Sequence, residues 1–383
     1  MSHSADRPDI PPLTSLRFFA AAVVVAFHYD PERFTRMPDF LQNWLETGYD
    51  AVTFFFVLSG FVLGYIYLGG EGERSRLNLR AFFAARFARL APAYYFSLLV
   101  ALPFFLAAYF FFDEADPRNF WLHGTLVVAW LQSWWPPAAL EWNPPAWSVS
   151  VEWFLYLAFP LILWAARFVP STTFAAAAYL LVVAVAIFRV VVMAPIGEEG
   201  PDGWNFAQFF PLFHLPQFIL GVALGRLHLE GPRPPPALAG WMFAAGAVGL
   251  MIIFWDLEDL PARIRSNAVL GVFFGLLILG AAQPGHFAYR ALSLRPLVFL
   301  GNISYSIYAL HQPIGFYWEW YGPREFDIDL GSIPDFALYF AIVLGLSALS
   351  YLYVELPLRR RIRRWGKPQP RIEGAAQAEA PRP

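Results

Sequence analysis

Apolar runs of membrane-spanning length follow one another along almost the whole chain, separated by clusters of proline, glycine and charged residues. An α-helix rises about 1.5 Å per residue, so that about 20 apolar residues cross the roughly 30 Å hydrocarbon core of a bilayer. Runs of this kind lie at residues 13–29, 50–68, 90–112, 147–165, 174–193, 204–225, 237–255, 268–283, 297–320 and 333–354. The pattern predicts an all-α polytopic membrane protein, built as a bundle of about ten transmembrane helices.

The charges of the loops indicate whether a further apolar run, at residues 120–135, crosses the membrane. Lys and Arg concentrate in cytoplasmic loops, and arginines crowd both the segment 69–89 and the run 359–364. If both segments face the cytoplasm, the number of spans is even and residues 120–135 do not cross. We therefore expect an external re-entrant or interfacial segment at 120–146. The N- and C-termini are then cytoplasmic, and the acidic loops are external: 198–202, 256–259 and 325–329.

Composition agrees with a membrane location and limits the chemistry. The 383 residues are 58% hydrophobic and 15% charged, with a mean hydropathy of +0.46, whereas about a quarter of the residues of a soluble domain are charged. The absence of cysteine excludes disulfides, thiolate metal sites and a cysteine nucleophile. There is no basic patch of nucleic-acid-binding character and no convincing metal-ligand constellation. We therefore expect neither a nucleic acid partner nor a bound metal.

The chain is expected to consist of one membrane domain with short flanking segments. Residues 1–12 form a cytoplasmic N-terminal segment, residues 13–357 the transmembrane domain, and residues 358–383 a cytoplasmic tail. The tail is basic at first and then rich in Pro and Ala, a composition typical of disorder.

The first span carries an arginine near one end and a histidine at the other. Arg17 and His28 are 11 residues apart, which at about 100° per residue places them about 20° apart on one helix face and roughly 16 Å apart along the axis. Ionisable groups are costly inside a bilayer and mark a functional or tightly paired site. We interpret Arg17 as facing the end where an anionic donor binds, and His28 as the place of the chemistry.

Glu152 lies in the motif Trp147-Ser148-Val-Ser150-Val-Glu152, about one and a half turns from the external end of the fourth span. This is close to the predicted depth of His28. Imidazole is a natural base near neutral pH, and a carboxylate at matched depth can orient the ring and stabilise its protonated form. We therefore predict a catalytic dyad of His28 and Glu152. In the alternative interpretation, His28 caps a packed helix end and Glu152 pairs with another group.

Two arginines open the third span. Arg86 and Arg89 are three residues apart and share one helix face, and guanidinium groups suit phosphate oxygens. With Arg17 they would form a cytoplasmic anion site. The cytoplasmic bias of Lys and Arg explains the same residues without any ligand. Glu355, just before the final arginine cluster, is predicted to form an ion pair with neighbouring arginines.

Small and polar side chains interrupt several of the apolar runs. In the second span Ser59 and Gly60 permit either close helix packing or a tunnel lined by Ser59. In the ninth span Asn302, Tyr305 and Tyr308 recur every third residue with His311 after them, which gives this helix one polar face. We predict a tunnel or acceptor site lined by Ser59, Ser148, Ser150, Asn302, Tyr305 and His311. His311 should lie in the outer half of its span, near His28. The alternative for the ninth span is a seam of interhelical hydrogen bonds.

Together these motifs resemble the acyltransferase family 3 membrane proteins, which include O-antigen and exopolysaccharide O-acetyltransferases. The matching elements are Arg17 with His28, Phe-Phe-Val-Leu-Ser59-Gly60-Phe, Arg86-x-x-Arg89, Trp147-Ser148-x-Ser150-x-Glu152 and Ser304-Tyr-x-x-Tyr308-x-x-His311. They occur in the family's order between residue 13 and about residue 357. The resemblance implies a ten-helix membrane domain, located in the inner or cell membrane of a bacterium.

The resemblance also implies a reaction and its partners. An acyl group, usually acetyl, passes from cytoplasmic acyl-CoA as co-substrate to an acceptor hydroxyl of a carbohydrate or lipid-linked glycan, with no bound cofactor. Arg17, His28, Arg86 and Arg89 are implied to be functional. Macrolide-modifying members are similar, which leaves the acceptor open. Many members carry a fused external esterase-like domain. This chain has none, so we expect any second acyl-handling protein to be separate, on the periplasmic or extracellular side.

A mechanism consistent with the residues and with the resemblance places the donor phosphates on Arg17, Arg86 and Arg89. The thioester would reach His28, which acts as a base or as a transient acyl carrier. The competing hypothesis is a transporter or flippase for a lipid-linked glycan, which would also need a polar path and arginines for phosphates. The missing internal repeat and the concentration of candidate chemistry in one His–Glu pair weigh against it.

Overall fold

The protein is mostly α-helical over the residues that the computed structural model describes, which are 7–29, 48–68, 77–112, 116–193, 196, 200–255, 267–325 and 332–365. These residues form fourteen α-helices and no strand. Their bounds are α1 Pro11–His28, α2 Gly48–Tyr67, α3 Leu79–Phe110, α4 Phe120–Val128, α5 Trp147–Ala166, α6 Ser171–Phe188, α7 Pro201–Phe209, α8 Leu215–Glu230, α9 Pro236–Trp255, α10 Asn267–Ala282, α11 Phe287–Leu292, α12 Arg295–Glu325, α13 Ile333–Ser350 and α14 Leu356–Trp365.

The predicted spans correspond to helices along the whole chain. Within the described residues, eight helical stretches are long and apolar enough to cross a membrane. The predicted runs at 268–283 and 297–320 are also helical: α10 has 16 residues and α12 has 31. The fold class is therefore confirmed as an all-α polytopic membrane protein. Several predicted loop features lie outside the described residues, namely Arg74, Arg76, the acidic positions 198–199, 256–259 and 326–329, and the tail 366–383.

The predicted span at 204–225 is not a single helix. It is broken into α7 and α8 by a short 3-10 turn over Pro211–His214. Proline at this position has no backbone N–H to continue the ladder of α7, and Pro216 occupies the first turn of α8, where a missing N–H costs little. Since the two helices have 9 and 16 residues, this break alters the path of the chain at the end of the bundle where His28 lies.

The segment 116–147 contains no helix long and apolar enough to count among the candidate spans. Its one α-helix, α4, has nine residues and is about 14 Å long, against the roughly 30 Å of a bilayer core. Short 3-10 turns follow at Gln132–Trp134, Pro136–Ala138 and Pro144–Ala146.

We call residues 130–147 the inserted segment, because they fold down into the bundle. The Asn143 amide is buried and donates to the carbonyl of Ala309 at 3.0 Å, and the Tyr308 hydroxyl donates to the carbonyl of Pro145 at 2.8 Å. Ala309 and Tyr308 lie near the middle of the 31-residue helix α12. Helix α5, which starts at Trp147, therefore begins at mid-depth in the bundle.

Glycines bring the central helices into backbone contact. A Cβ atom on Gly60 of α2 would collide with the carbonyl oxygen of Phe218 in α8, and a Cβ on Gly221 of α8 would collide with the carbonyl of Val57. Gly301 of α12 packs in the same way on the carbonyl of Thr14 in α1. Small residues allow this close approach in membrane bundles. Helix α1 is thus packed against both α2 and α12.

Candidate functional site

The end of the bundle where α1 begins contains a cavity of about 230 Å³ whose charged lining is mostly arginine. We call it the arginine cavity. Its lining includes five arginines and two carboxylates, which are Arg7, Arg17, Arg86, Arg89, Arg359, Asp9 and Glu355. The arginines come from the chain before α1 and from α1, α3 and α14, helices that are distant in sequence. This excess of positive charge favours an anionic ligand.

The local fold of α3 aims its two arginines at this cavity. The helix starts at Leu79, where the Asn78 side chain accepts the backbone N–H of Ala81 at 3.0 Å, a standard N-cap. Arg86 and Arg89 then share one face, as predicted. The Nε atoms of both guanidinium groups have no hydrogen-bond partner among the described residues. Arg86 also lies over the ring of Tyr156, 5.7 Å from the ring centre.

A second, smaller cavity of about 50 Å³ lies deeper in the bundle. We call it the inner cavity. It is lined by residues of five helices, among them Ser59, Ser148, Glu152, Tyr305 and Tyr308. Four residues line both cavities, namely Arg17, Arg89, Ser304 and Tyr305. Arg17 and Arg89 therefore stand at the boundary between the two cavities, which places the predicted anion site next to the predicted tunnel.

Glu152 is the acidic group of the inner cavity. Its carboxylate accepts a hydrogen bond from the Ser59 hydroxyl at 3.3 Å and another from the Tyr156 hydroxyl, which lies one helical turn further along α5. Arg17 and Arg89 are close enough to Glu152 to feel its charge. The carboxylate thus partly balances the two arginines, while its hydrogen bonds fix its orientation.

The predicted dyad of Glu152 with His28 is wrong. In the part of the chain that is described, Glu152 and His28 share no hydrogen bond, and Glu152 binds Ser59 and Tyr156 instead. The physical reason is the depth at which α5 begins. The prediction counted from the membrane surface, whereas the inserted segment carries the start of α5 down to the level of Tyr308. Glu152, a further turn along, therefore reaches the level of the arginines.

His28 is next to a second histidine. Its ring centre lies 4.9 Å from that of His311, as predicted for a polar face on α12 that reaches the outer half of the bundle. The Nδ1 atom of His28 is 2.9 Å from the carbonyl oxygen of Val24. Because a carbonyl only accepts, this nitrogen carries the proton, and Nε2 keeps the free lone pair. His311 is fully buried, with Nδ1 3.3 Å from the Ile307 carbonyl and Nε2 without a partner among the described residues.

The other predicted lining residues divide into three groups. Ser59, Ser148 and Tyr305 line the inner cavity, as predicted. Asn302 is exposed and lines the arginine cavity. Ser150 is buried, and its hydroxyl donates to the Trp130 carbonyl at 2.7 Å, so it lines neither of the two cavities. The Ser150 hydroxyl instead holds the inserted segment. Successive helix positions point about 100° apart, so Ser150, two positions after Ser148, points away from it.

Polar contacts on α12 place its side chains at successive depths. Ser148 and Tyr308 share a hydrogen bond of 2.7 Å between their hydroxyl oxygens. Tyr305, one turn closer to the arginine end, donates to the Leu90 carbonyl at 3.0 Å. His311 lies one turn beyond Tyr308 in the other direction, with ring centres 6.0 Å apart. One face of α12 thus runs from the arginine cavity past the inner cavity to His28.

Three residues of this site are absent from the sequence prediction. Tyr156 binds Glu152 and Ser59, and a signal was present because it lies four residues after Glu152. Arg359 lines the arginine cavity and lies 4.0 Å from Glu355, which confirms the predicted ion pair but gives the arginine a second role. Arg7, from the segment before α1, also lines this cavity. Nothing in the sequence pattern distinguishes Arg7 or Arg359 from other arginines at helix ends.

Metal ligation finds no support in the described residues, where no three His, Asp or Glu side chains cluster closely enough to hold an ion. The groups that line the two cavities are arginines, hydroxyls and the carboxylates of Asp9, Glu152 and Glu355, with the imidazoles of His28 and His311 beyond them. This set can bind phosphates, orient a polar chain and supply a base or a nucleophile.

Comparison with known proteins agrees with the motifs. A family model described as an acyltransferase domain, that of acyltransferase family 3, matches residues 12–352. The chain is 28% identical to "Acyltransferase MdmB" of Streptomyces mycarofaciens over 90% of this chain and 88% of that protein. It is 27% identical to "Putative peptidoglycan O-acetyltransferase YrhL" of Bacillus subtilis, over 80% of this chain and 48% of that protein. It is 24% identical to "O-acetyltransferase OatA" of Staphylococcus aureus, over 92% of this chain and 57% of that protein.

These matches cover different shares of the relatives. The chain spans about half the length of the two O-acetyltransferases and most of the length of the Streptomyces acyltransferase. No solved structure matches the chain. The resemblance predicted from the five motifs is confirmed, since the family match covers all of them.

Proposed function

Because this chain belongs to the acyltransferase family 3, we propose that it is a membrane-embedded O-acyltransferase that moves an acetyl or other acyl group from acyl-CoA to a hydroxyl of a carbohydrate or similar acceptor. Two similar proteins bear the name O-acetyltransferase, which supports acetyl as the group transferred. The observation that carries the proposal is the position of Arg17 and Arg89 at the boundary between the arginine cavity and the inner cavity.

The donor phosphates bind in the arginine cavity. Arg17, Arg86 and Arg89 are their proposed partners, since guanidinium groups bind phosphate oxygens through two parallel hydrogen bonds. The Nε atoms of Arg86 and Arg89, which have no partner among the described residues, support this assignment. Glu152, hydrogen-bonded to Ser59 and Tyr156, is proposed to hold the charge of the arginine pair in balance instead of orienting His28.

The pantetheine arm of the donor passes from the arginines toward His28. The two ends of this path are 11 residues apart on α1, or roughly 16 Å, a distance that suits a long, thin arm. The hydroxyls of Ser59, Ser148, Tyr305 and Tyr308 line the inner cavity between them. Their oxygen atoms can accept hydrogen bonds from the amide N–H groups of the arm, in a region where an unpaired polar group would be costly.

His28 performs the chemistry through Nε2, because Nδ1 donates to the Val24 carbonyl. In one route, Nε2 takes the proton of the acceptor hydroxyl while its oxygen attacks the thioester carbonyl. The C–S bond breaks, and the CoA thiolate receives the proton. In the other route, Nε2 attacks the thioester and releases the thiolate. The acceptor oxygen then displaces the imidazole, and its proton is released. His311 is the polar group beside His28 in either route.

The proposed orientation follows from charge. Arg80, Arg86, Arg89 and the arginines of α14 lie in the loop or helix ends around the arginine cavity, and the cytoplasmic bias of arginine assigns this end to the cytoplasm. Both termini are then cytoplasmic, in the inner or cell membrane of a bacterium. The proposed partners are the lipid bilayer, acyl-CoA and a glycan acceptor.

The test is release of CoA from acetyl-CoA by the purified protein in detergent. We expect release by the wild type and losses of at least about 10²-fold in His28→Ala and Arg89→Ala. The matched control is Arg118→Ala, an arginine whose side chain is 89% exposed and which pairs with Asp116; it should behave as the wild type. Full release by a normally inserted His28→Ala would refute the mechanism. Absence of both CoA binding and release would favour a flippase for a lipid-linked glycan.

A further inference from the structure

The arginine cavity has an apolar lining in addition to its arginines. Phe61, Val62, Tyr65 and Ile66 of α2 line it, and their spacing places them along one side of the helix. The cationic lining comes from other elements, namely α1, α3, α14 and the segment before α1. The cavity therefore offers a cationic surface and an aromatic surface to the same ligand.

The aromatic ring at the centre of this surface is Tyr65. The ring of Phe61 lies parallel to it at 6.4 Å, and the ring of His228 lies 5.9 Å away. The Tyr65 hydroxyl donates to the Pro8 carbonyl at 3.3 Å. These contacts hold the phenol ring in a fixed orientation beside the arginines.

A flat cation already packs on this ring. The guanidinium carbon of Arg7 lies over the Tyr65 ring, 5.6 Å from its centre, and the same guanidinium donates to the backbone carbonyl of Tyr65. Guanidinium groups stack on aromatic faces because they are planar and delocalised. Purine bases stack on tyrosine for related reasons. The ring face that Arg7 covers is therefore suited to a planar group of the kind found in a nucleotide.

We propose that Tyr65 is the stacking platform for the adenine base of the acyl-CoA donor, which exchanges with the Arg7 guanidinium on this ring while the arginines hold the phosphates. The inference rests on the function proposed above and specifies which end of the donor lies where. The arginine cavity, at about 230 Å³, is the larger of the two cavities and is proposed to take the nucleotide end of CoA, which leaves the pantetheine arm to the inner cavity.

The test compares two donors, acetyl-CoA and S-acetylpantetheine, which carries the same thioester but no nucleotide. Stacking of one base on an aromatic ring contributes about 5- to 150-fold in affinity. Tyr65→Leu should raise the KM for acetyl-CoA by a factor in that range and leave the KM for S-acetylpantetheine unchanged. It should weaken competitive inhibition by adenosine 3′,5′-bisphosphate by the same factor. Tyr65→Phe keeps the ring and should restore both values to within a few-fold of the wild type.

The control is Tyr353→Leu, since the Tyr353 side chain is 75% exposed. This variant should leave the KM for both donors unchanged. Equal effects of Tyr65→Leu on the two donors would overturn the stacking role, as would a Tyr65→Phe variant that fails like Tyr65→Leu. Competition by a lipid phosphate in place of the bisphosphate would assign the apolar lining to an acyl chain and also overturn it. A wild type that neither binds nor releases CoA would refute the proposed function itself. Normal release with equal effects of Tyr65→Leu on both donors would refute this inference alone.

Discussion

The contact between α1 and α12 at Gly301 gives a sharp test of whether the two helices must stay in register for transfer. A methyl group on Gly301 would collide with the Thr14 carbonyl oxygen and lie 3.0 Å from the Ser15 nitrogen, whereas non-bonded atoms are optimal near 3.5–4.0 Å. The neighbours are backbone atoms, so that no side chain can rotate away. Gly301→Ala therefore forces the helices apart by more than about 1 Å, since the Thr14 oxygen lies even closer to the added methyl group than the Ser15 nitrogen does.

This separation acts directly on the proposed site. Arg17 and His28 lie on α1, and Tyr305 and His311 lie on α12. A misplacement of about 1 Å can lower a rate about 10²-fold, and overpacking a close contact costs about 1–3 kcal/mol of stability. We expect Gly301→Ala to lower kcat for CoA release by about 10²-fold and to lower the midpoint of thermal unfolding in detergent.

The assay follows free CoA with a thiol reagent. Because the sequence has no cysteine, the protein adds no thiol of its own to the signal. The control is Gly345→Ala in α13, where a Cβ would meet no atom within 4 Å; it should keep full activity and gain up to about 1 kcal/mol from helix propensity. A Gly301→Ala protein with the kcat and unfolding midpoint of Gly345→Ala would refute the reasoning.

Three further predictions concern single side chains. His311→Asn retains a hydrogen-bond donor near the Ile307 carbonyl but removes the ring beside His28. We expect the rate of CoA release to fall about 10²-fold or more, with no change in the midpoint of thermal unfolding. An unchanged rate would show that the contact between the two rings is not functional. Glu152→Gln removes the charge that balances the buried arginines. We expect the free energy of unfolding to fall by about 3 kcal/mol and to be partly restored by added CoA. The same unfolding midpoint of this variant with and without CoA would contradict the prediction. Ser150→Ala removes the 2.7 Å hydrogen bond to Trp130. We expect the free energy of unfolding to fall by about 1 kcal/mol while the KM for acetyl-CoA stays constant. A raised KM would indicate instead that Ser150 lines the donor tunnel.

The hydrophobic pattern was sufficient to predict the helices of the bundle, because bilayer thickness fixes the length of an apolar run. It also singled out Arg17, Arg86, Arg89 and His28, since charged groups within such runs are rare. The contact of His28 with His311 followed from period and depth along α12. Each of these inferences needs only the sequence of a single helix or the depth of a residue in the membrane.

The errors arose where tertiary contacts set the depth of an element. The inserted segment carries α5 to mid-depth through hydrogen bonds between residues far apart in sequence, such as Asn143 with Ala309. No local pattern encodes that displacement, so Glu152 was placed beside the wrong partner. Ser150 was assigned to a tunnel for the same reason, since its hydroxyl faces the Trp130 carbonyl of the inserted segment. Arg359 reaches the arginine cavity only because α14 docks against α3.

The inserted segment also changes the electrical geometry of the protein. Tyr308, which marks the start of α5, lies 13 residues into a helix of 31, or about 20 Å along roughly 46 Å. On that side of α5, hydrogen-bonded loop takes the place of apolar helix. Where such a loop admits water, a transmembrane voltage falls over a shorter distance than along a full-length helix. In the proposed mechanism, a proton released at His28 would then cross only part of that voltage on its way to either face, and we expect transfer in energised vesicles to be coupled to the membrane potential by less than one full charge.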